Sequence, residues 1–155
     1  METTQRVFFN QWFFAMVLLG GTALGASLLA VEVFGLKPCV MCKLQRIPFA
    51  LLIMNGGFGL FSSYKQGFFQ VLQVCLALGV ILGLGHFLMQ MGALPDPCAT
   101  QNGFKSPEEF SKVLLSPKCS MVNWSFFGIP VSLLNALLHG FFLFFSSTLT
   151  SMKGR

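Results

Sequence analysis

The sequence predicts an all-α membrane protein, an antiparallel four-helix transmembrane bundle whose two cysteine-bearing loops share one face. Three observations carry this expectation. The 155 residues are 54% hydrophobic and 10% charged, whereas an ordinary soluble domain carries about 25% charge. The mean hydropathy is +0.72, which implies more apolar surface than so short a chain hides in a water-soluble core. Asp, Glu, Lys and Arg are absent from Val7 to Val31, Ile47 to Tyr64, Gln66 to Pro95 and Ser120 to Met152. Each silent stretch reaches the roughly 18 to 20 residues that cross about 30 Å of hydrocarbon as a helix. The length fits a single four-span domain over residues 1–155. The net charge of +5 comes from scattered basic residues that form no stripe, which argues against nucleic acid.

The first span is placed near Trp12–Val31. A cleavable signal peptide is the alternative, with Arg6 in its basic region and small residues at Ala23-Leu24-Gly25-Ala26. The apolar run outlasts the roughly 7 to 15 residues of such a peptide, so a retained helix is expected. The second and third spans, near Cys42–Phe61 and Phe68–Met91, are joined by the polar turn Ser62–Gly67. The fourth is placed near Phe126–Leu149. Frequent glycine, as at Gly20-Gly21, Gly79, Gly83 and Gly85, lets helices approach closely where lipid supplies no hydrophobic drive between them.

The long loop runs from Gly92 to Ser125. Pro95-Asp96-Pro97 opens it and resists helix. Ser106-Pro107-Glu108-Glu109 follows, with a capping serine, proline at the first helical position and glutamate at the third. A short amphipathic helix over Pro107–Leu115 is expected, lying on the membrane surface or packed on its own loop.

Four crossings put both termini on one side and both cysteine-bearing loops on the other. Lys and Arg counts, which normally set orientation, do not decide here. Arg6, Lys65, Lys153 and Arg155 lie on one side; Lys37, Lys43, Arg46, Lys105, Lys112 and Lys118 lie on the other. Orientation is instead taken from chemistry. Stable disulfides need an oxidising compartment, which places the cysteine loops outside the cytosol and both termini in the cytoplasm.

The cysteines are Cys39, Cys42, Cys75, Cys98 and Cys119. Cys75, inside the third span, is expected to be a small apolar core residue. The other four could form a zinc site, a structural staple or a redox relay. Zinc is disfavoured because Cys98 and Cys119 do not make a second closely spaced pair. The surroundings of Cys39-Val40-Met41-Cys42 favour the relay. Pro38 suits a first helical position, which would put the motif in the first turn of the second span. A thiolate there meets unpaired backbone N–H groups and the positive end of the helix dipole. Arg46 follows Cys42 by four positions, hence on the same helix face. An arginine at the membrane edge is costly and marks a functional position, or else snorkels to the headgroups. His86 sits near the same membrane face at the end of the third span. His139, deep in the fourth, is expected to be a packing histidine.

These residues resemble the DsbB-type disulfide-generating proteins of the bacterial inner membrane. Leu36-Lys37-Pro38-Cys39-Val40-Met41-Cys42 with Gln45-Arg46 is similar to the family's Pro-Cys-x-x-Cys and following arginine. His86-Phe87-Leu88-Met89-Gln90 is similar to its histidine at the end of the third helix. Cys119 and Trp124-Ser125-Phe126-Phe127-Gly128 resemble its second loop cysteine and the segment after it. The resemblance covers nearly the whole chain; the long loop matches only in its cysteines, and Cys75 lies outside the pattern.

The resemblance implies a multi-pass inner-membrane thiol:quinone oxidoreductase. A periplasmic thioredoxin-fold oxidase of the DsbA type would attack a Cys98–Cys119 disulfide at Cys98. Cys119 would exchange with Cys39, and Cys42 would pass electrons to a membrane quinone, ubiquinone or menaquinone, held beside Arg46 and His86. The partner type is itself a strong oxidant, so only an acceptor of higher potential can draw electrons from it. Two other readings stay open. One is a four-span structural or adaptor protein with static loop disulfides. The other is a quinone reductase related to vitamin K epoxide reductase.

Overall fold

The computed structural model describes residues 2–96, 118–122 and 124–153. Among these, four helical segments are long and apolar enough to cross a membrane: Gln5–Glu32, Val40–Phe61, Lys65–Gln90 and Val131–Thr148. The protein is an all-α membrane protein of four helices, as its charge-free stretches predict.

Helix α1 covers Glu2–Glu32, beginning well before the first expected apolar residue because nothing from Glu2 to Gln11 breaks a helix. It ends where Gly35 takes φ +62°, a conformation glycine adopts without steric cost. The Leu36 N–H then reaches back to Ala30 O at 3.3 Å. The second span is two helices, α2 over Val40–Leu44 and α3 over Arg46–Phe61. The break at Gln45 has a local cause. Pro48 has no N–H for the carbonyl of Leu44, and its ring crowds that carbonyl. Helix α4 covers Lys65–Gln90. The turn before it is closed by Lys65, whose Nζ donates to Gly59 O at 3.1 Å and Leu60 O at 3.0 Å, satisfying carbonyls at the end of α3.

The fourth span begins later than expected. Strands β1 (Ser125–Phe126) and β2 (Ile129–Pro130) pair as an antiparallel hairpin. Helix α5 then covers Val131–Lys153. Phe126 is therefore strand, not helix. Phe127 and Gly128 both have positive φ, +52° and +80°, as a two-residue hairpin turn requires. Pro130 also disfavours helix at Ile129. The expected helix Pro107–Leu115 and Cys98 lie outside the described residues.

The helices pack antiparallel, α1 on α3, α3 on α4, and α4 on α5. Phe13, Met16, Leu52, Leu72 and Leu76 are fully buried between them. Glycine sets the closest approaches: a Cβ on Gly20 would lie 2.8 Å from Phe49 O, and one on Gly83 2.8 Å from Ala136 N. An amide bridges the α3–α4 seam. Asn55 Nδ2 donates to Phe68 O at 2.8 Å. Phe58, Val74, Phe141 and Phe144 point outward, where lipid accommodates apolar side chains.

Candidate active site

At one end of the bundle the chain leaves α1, runs extended through residues 36–39, and enters α2. Cys39 is the N-cap of α2, not part of its first turn: its φ and ψ are −70° and 173°, and its Sγ accepts the Cys42 N–H at 3.2 Å. Pro38 stands outside the helix. The cap uses a thiol where serine or aspartate is usual, so the sulfur takes one of the orphan N–H groups of the helix start.

Cys39 and Cys42 are free thiols with their Sγ atoms 2.8 Å apart. Cys39 is 1% exposed. His86 Nε2, on α4, lies 3.7 Å from Cys39 Sγ. The Cys42 side chain is the chief cause that lowers the Cys39 thiol from 9.0 to about 4, with His86 and the Cys42 N–H adding to it against the opposing effect of burial. Cys39 is thus a thiolate at neutral pH, the form that attacks and leaves in disulfide exchange.

His86 is held by amides. Gln45 Nε2 donates to its Nδ1 at 3.1 Å and contacts Leu82 O at 3.3 Å. Accepting at Nδ1 leaves the ring proton on Nε2, facing Cys39. The Gln90 amide lies 3.5 Å from the same Nε2, and Gln90 Oε1 accepts from the Ser132 hydroxyl on α5. The break at Gln45 lets this side chain reach α4, which a continuous helical ridge one turn after Cys42 would not single out. Cys39, Cys42 and His86 bring three ligand atoms within 4.8 Å of one another, a spacing that could hold a metal ion.

Cys42 opens onto a cavity of about 270 Å³ between α1, α3, α4 and α5. Cys42, Gln45, Arg46 and Phe49 line it from the second span, and Ala23, Ala26 and Ser27 from α1. The walls are mainly apolar. Arg46 turns inward: one Nη donates to Ser27 O at 3.4 Å, and its buried Nε has no partner among the described residues. Asn135 on α5 lines the same cavity, 7% exposed, with neither amide atom partnered among the described residues.

Cys119 is fully buried and packs in one cluster with Cys39 and Met41, Cys42 lying against it. It is disulfide-bonded. Beside it the Ser120 N–H donates to Asp96 Oδ2 at 2.9 Å, so one carboxylate ties the two ends of the long loop together.

The family model described as disulfide bond formation protein DsbB matches residues 9–149. The chain belongs to the DsbB family. A comparison with curated protein sequences finds no match. The protein is accordingly a multi-pass membrane oxidoreductase of disulfide bond formation, and membership displaces the structural-adaptor and vitamin K epoxide reductase readings.

In this DsbB family member the sequence-predicted residues Cys39, Cys42, Cys119, Arg46 and His86 converge at one end of the bundle. Cys75 does not join them; it is buried in the core with Leu72 and Leu76. His139 also stays apart, fully buried with its ring 4.6 Å from that of Phe49. Sequence reasoning missed the roles of Gln90, Ser132 and Asn135. A usable signal existed: each is a polar side chain at membrane depth or its edge, where an unpaired amide is expensive and marks function by default.

Proposed function

We propose that the protein reoxidises a periplasmic thioredoxin-fold oxidase of the DsbA type and delivers the electrons to a membrane quinone. One observation carries this reading: Cys39 packs against Cys119 on one side and touches Cys42, which opens onto the apolar cavity, on the other. The three cysteines thus sit in one packed cluster, and Cys42 carries it to the cavity wall.

The partner's thiolate attacks Cys98 of a Cys98–Cys119 disulfide. Cys119 is disulfide-bonded, and the family resemblance implies Cys98 as its partner. That bond breaks, a mixed disulfide forms, and Cys119 leaves as a thiolate. The partner's second thiol then displaces Cys98, and the partner departs oxidised. Cys119 attacks Cys39 of a Cys39–Cys42 disulfide and releases Cys42. Cys98 then attacks Cys119, restores the loop disulfide and expels Cys39. The low pKa of Cys39 makes it a good leaving group at that step. The net result moves two electrons and two protons from the partner to the Cys39–Cys42 pair.

The cavity fits a quinone head group, with apolar walls for the ring and the unpartnered Arg46 Nε for an oxygen. When bound, the quinone accepts two electrons and two protons. Arg46 offers a fixed positive charge in a low-dielectric setting. His86 holds the proton shared with Cys39 and is oriented by Gln45. We place the protein in the bacterial inner membrane with both termini cytoplasmic and the cysteine loops periplasmic, since the relay needs an oxidising compartment.

The test uses the purified protein in lipid nanodiscs with a reduced DsbA-type oxidase and ubiquinone or menaquinone. Partner oxidation should turn over only when quinone is present. Given the partner in its oxidised form, the Cys98 thiolate of Cys119→Ala should attack the partner's disulfide and trap a mixed disulfide at Cys98. Turnover without quinone, or a trapped disulfide at Cys39 instead, would overturn the reading. A tag inserted near Asn102 should report periplasmic; a cytoplasmic result sinks the orientation and the relay together.

A further inference from the structure

We propose that Asn135 is a quinone-binding residue, hydrogen-bonding one of the two ring oxygens while Arg46 addresses the other. The inference rests on the quinone reading and adds to it a contact from α5. It begins from orphaned polar atoms. Among the described residues, five buried side-chain nitrogens and oxygens lack any partner: Trp12 Nε1, Arg46 Nε, His139 Nε2 and both amide atoms of Asn135. Trp12 and His139 do not line the cavity; Arg46 and Asn135 do.

Leaving a buried amide unpaired destabilises a fold, and an apolar residue of similar shape would relieve that cost. The neighbouring positions on the same face, Leu134 and Leu138, are such residues. Val131, Ser132, Leu134, Asn135 and Leu138 recur at helical spacing and turn one stripe of α5 to the cavity. The Asn135 backbone is also held in place. Its carbonyl accepts from His139 Nδ1 at 3.0 Å, and His139 is locked between the Phe49 ring and Gly79, where a Cβ would collide with the His139 ring. The amide therefore stands on a fixed stretch of backbone and faces an apolar space with no partner among the described residues.

The ligand chemistry follows from what an amide offers. A quinone ring carries two acceptors, and the cavity holds two unpartnered donors. The Asn135 NH₂ serves a carbonyl, and its Oδ1 serves a hydroxyl once the ring is reduced. The contact persists in both redox states without any change of charge. It strengthens binding without favouring the reaction itself, so it belongs to KM and not kcat.

The probe is a short-chain benzoquinone with ¹³C at its carbonyls, added to the whole protein in nanodiscs. In the wild type, difference infrared spectra should show both carbonyl stretches lowered relative to the free quinone. In Asn135→Leu, one should return toward the free value and the affinity should fall about tenfold, the loss of one hydrogen bond. KM should rise by the same factor with kcat unchanged, and the quinone-free Asn135→Leu protein should melt no lower than wild type. A wild-type spectrum with one carbonyl unshifted overturns the proposal without recourse to a variant. So does an affinity unmoved by Asn135→Leu. A wild type that binds no quinone at all fails at the earlier step, the quinone reading, and takes this proposal with it.

Discussion

Cys39 Sγ lies 3.7 Å from His86 Nε2, although the two residues are 47 positions apart in sequence. The imidazole proton and the Cys42 side chain both favour a Cys39 thiolate, and together they outweigh burial. The sign of the pH dependence follows. The folded value, about 4, lies below the ordinary 9.0. The thiolate's contribution to stability is complete above pH 9, declines as pH falls through that window, and is lost below about pH 4.

His86→Phe should therefore move the Cys39 titration upward. The measurement is ultraviolet thiolate absorbance of the reduced protein against pH, in a Cys75→Ala background. In the parent protein the absorbance should persist at pH 6 and fall only near pH 4. An unchanged curve in His86→Phe would assign the stabilisation to Cys42 and the α2 cap alone.

The proposed relay divides labour among the cysteines. Cys98→Ala and Cys119→Ala should abolish partner oxidation while leaving the quinone-linked chemistry of Cys39 and Cys42 measurable in the same membranes. Cys75→Ala should change turnover by less than about twofold, because a thiol packed among Leu72 and Leu76 meets neither the soluble partner nor Cys39. Loss of turnover in Cys75→Ala with activity retained in Cys98→Ala would reverse this division.

Much of this site was legible because charge is so costly in lipid. The silent stretches between Val7 and Met152 reveal four spans without any structure. Arg46 and His86 stand out as polar groups where few are tolerated. Local geometry was harder to read. Pro38 looked like a first helical residue, but the extended backbone through Cys39 hands the cap to the thiol. Phe126-Phe127-Gly128 reads as the start of an apolar helix, and only the paired positive φ values at Phe127 and Gly128 make it the turn of a hairpin. Asn135 carried only the weak signal of a polar side chain in an apolar span. Its meaning lies in having no partner, and partners are a property of packing that spacing along one helix cannot supply.

Glycine packing gives a stability prediction independent of the chemistry. A Cβ on Gly83 would lie 2.8 Å from Ala136 N and 2.9 Å from its Cα, both backbone atoms that cannot rotate away. Gly83→Ala should destabilise the α4–α5 seam by about 1–3 kcal/mol, as overpacking does. Gly85, with nothing within 4 Å, is the control: Gly85→Ala should be neutral or slightly stabilising, since alanine favours helix. Thermal melts in nanodiscs compare the two. Equal effects would mean that α4 and α5 shift freely past each other.

Arg46 gives the prediction that bears most directly on the electron-transfer end. Its guanidinium is shared between structure and cavity: one Nη is committed to Ser27 O on α1, while Nε is buried and unpartnered on a cavity wall that also holds Cys42. A snorkelling arginine would instead send its head to water. Lysine keeps the charge but has no Nε and no planar fork, so it cannot hold α1 and address a ligand together. On the proposed mechanism Arg46→Lys should raise KM for quinone severalfold. Arg46→Ala should raise it further, on the order of 10- to 100-fold for a lost charged hydrogen bond, and should slow turnover as well. Neither change touches Cys119 or its exchange with the soluble partner. A single equivalent of reduced partner should therefore still be oxidised without added quinone, at the wild-type rate. The assay pairs that single turnover with steady-state rates at several quinone concentrations. If Arg46→Ala left the quinone dependence unchanged, Arg46 would serve only to tie α3 to α1, and the quinone would bind elsewhere. If single-turnover oxidation failed as well, Arg46 would be supporting the loop sulfurs, and the separation of the water-facing exchange from the membrane-facing step would have to be given up.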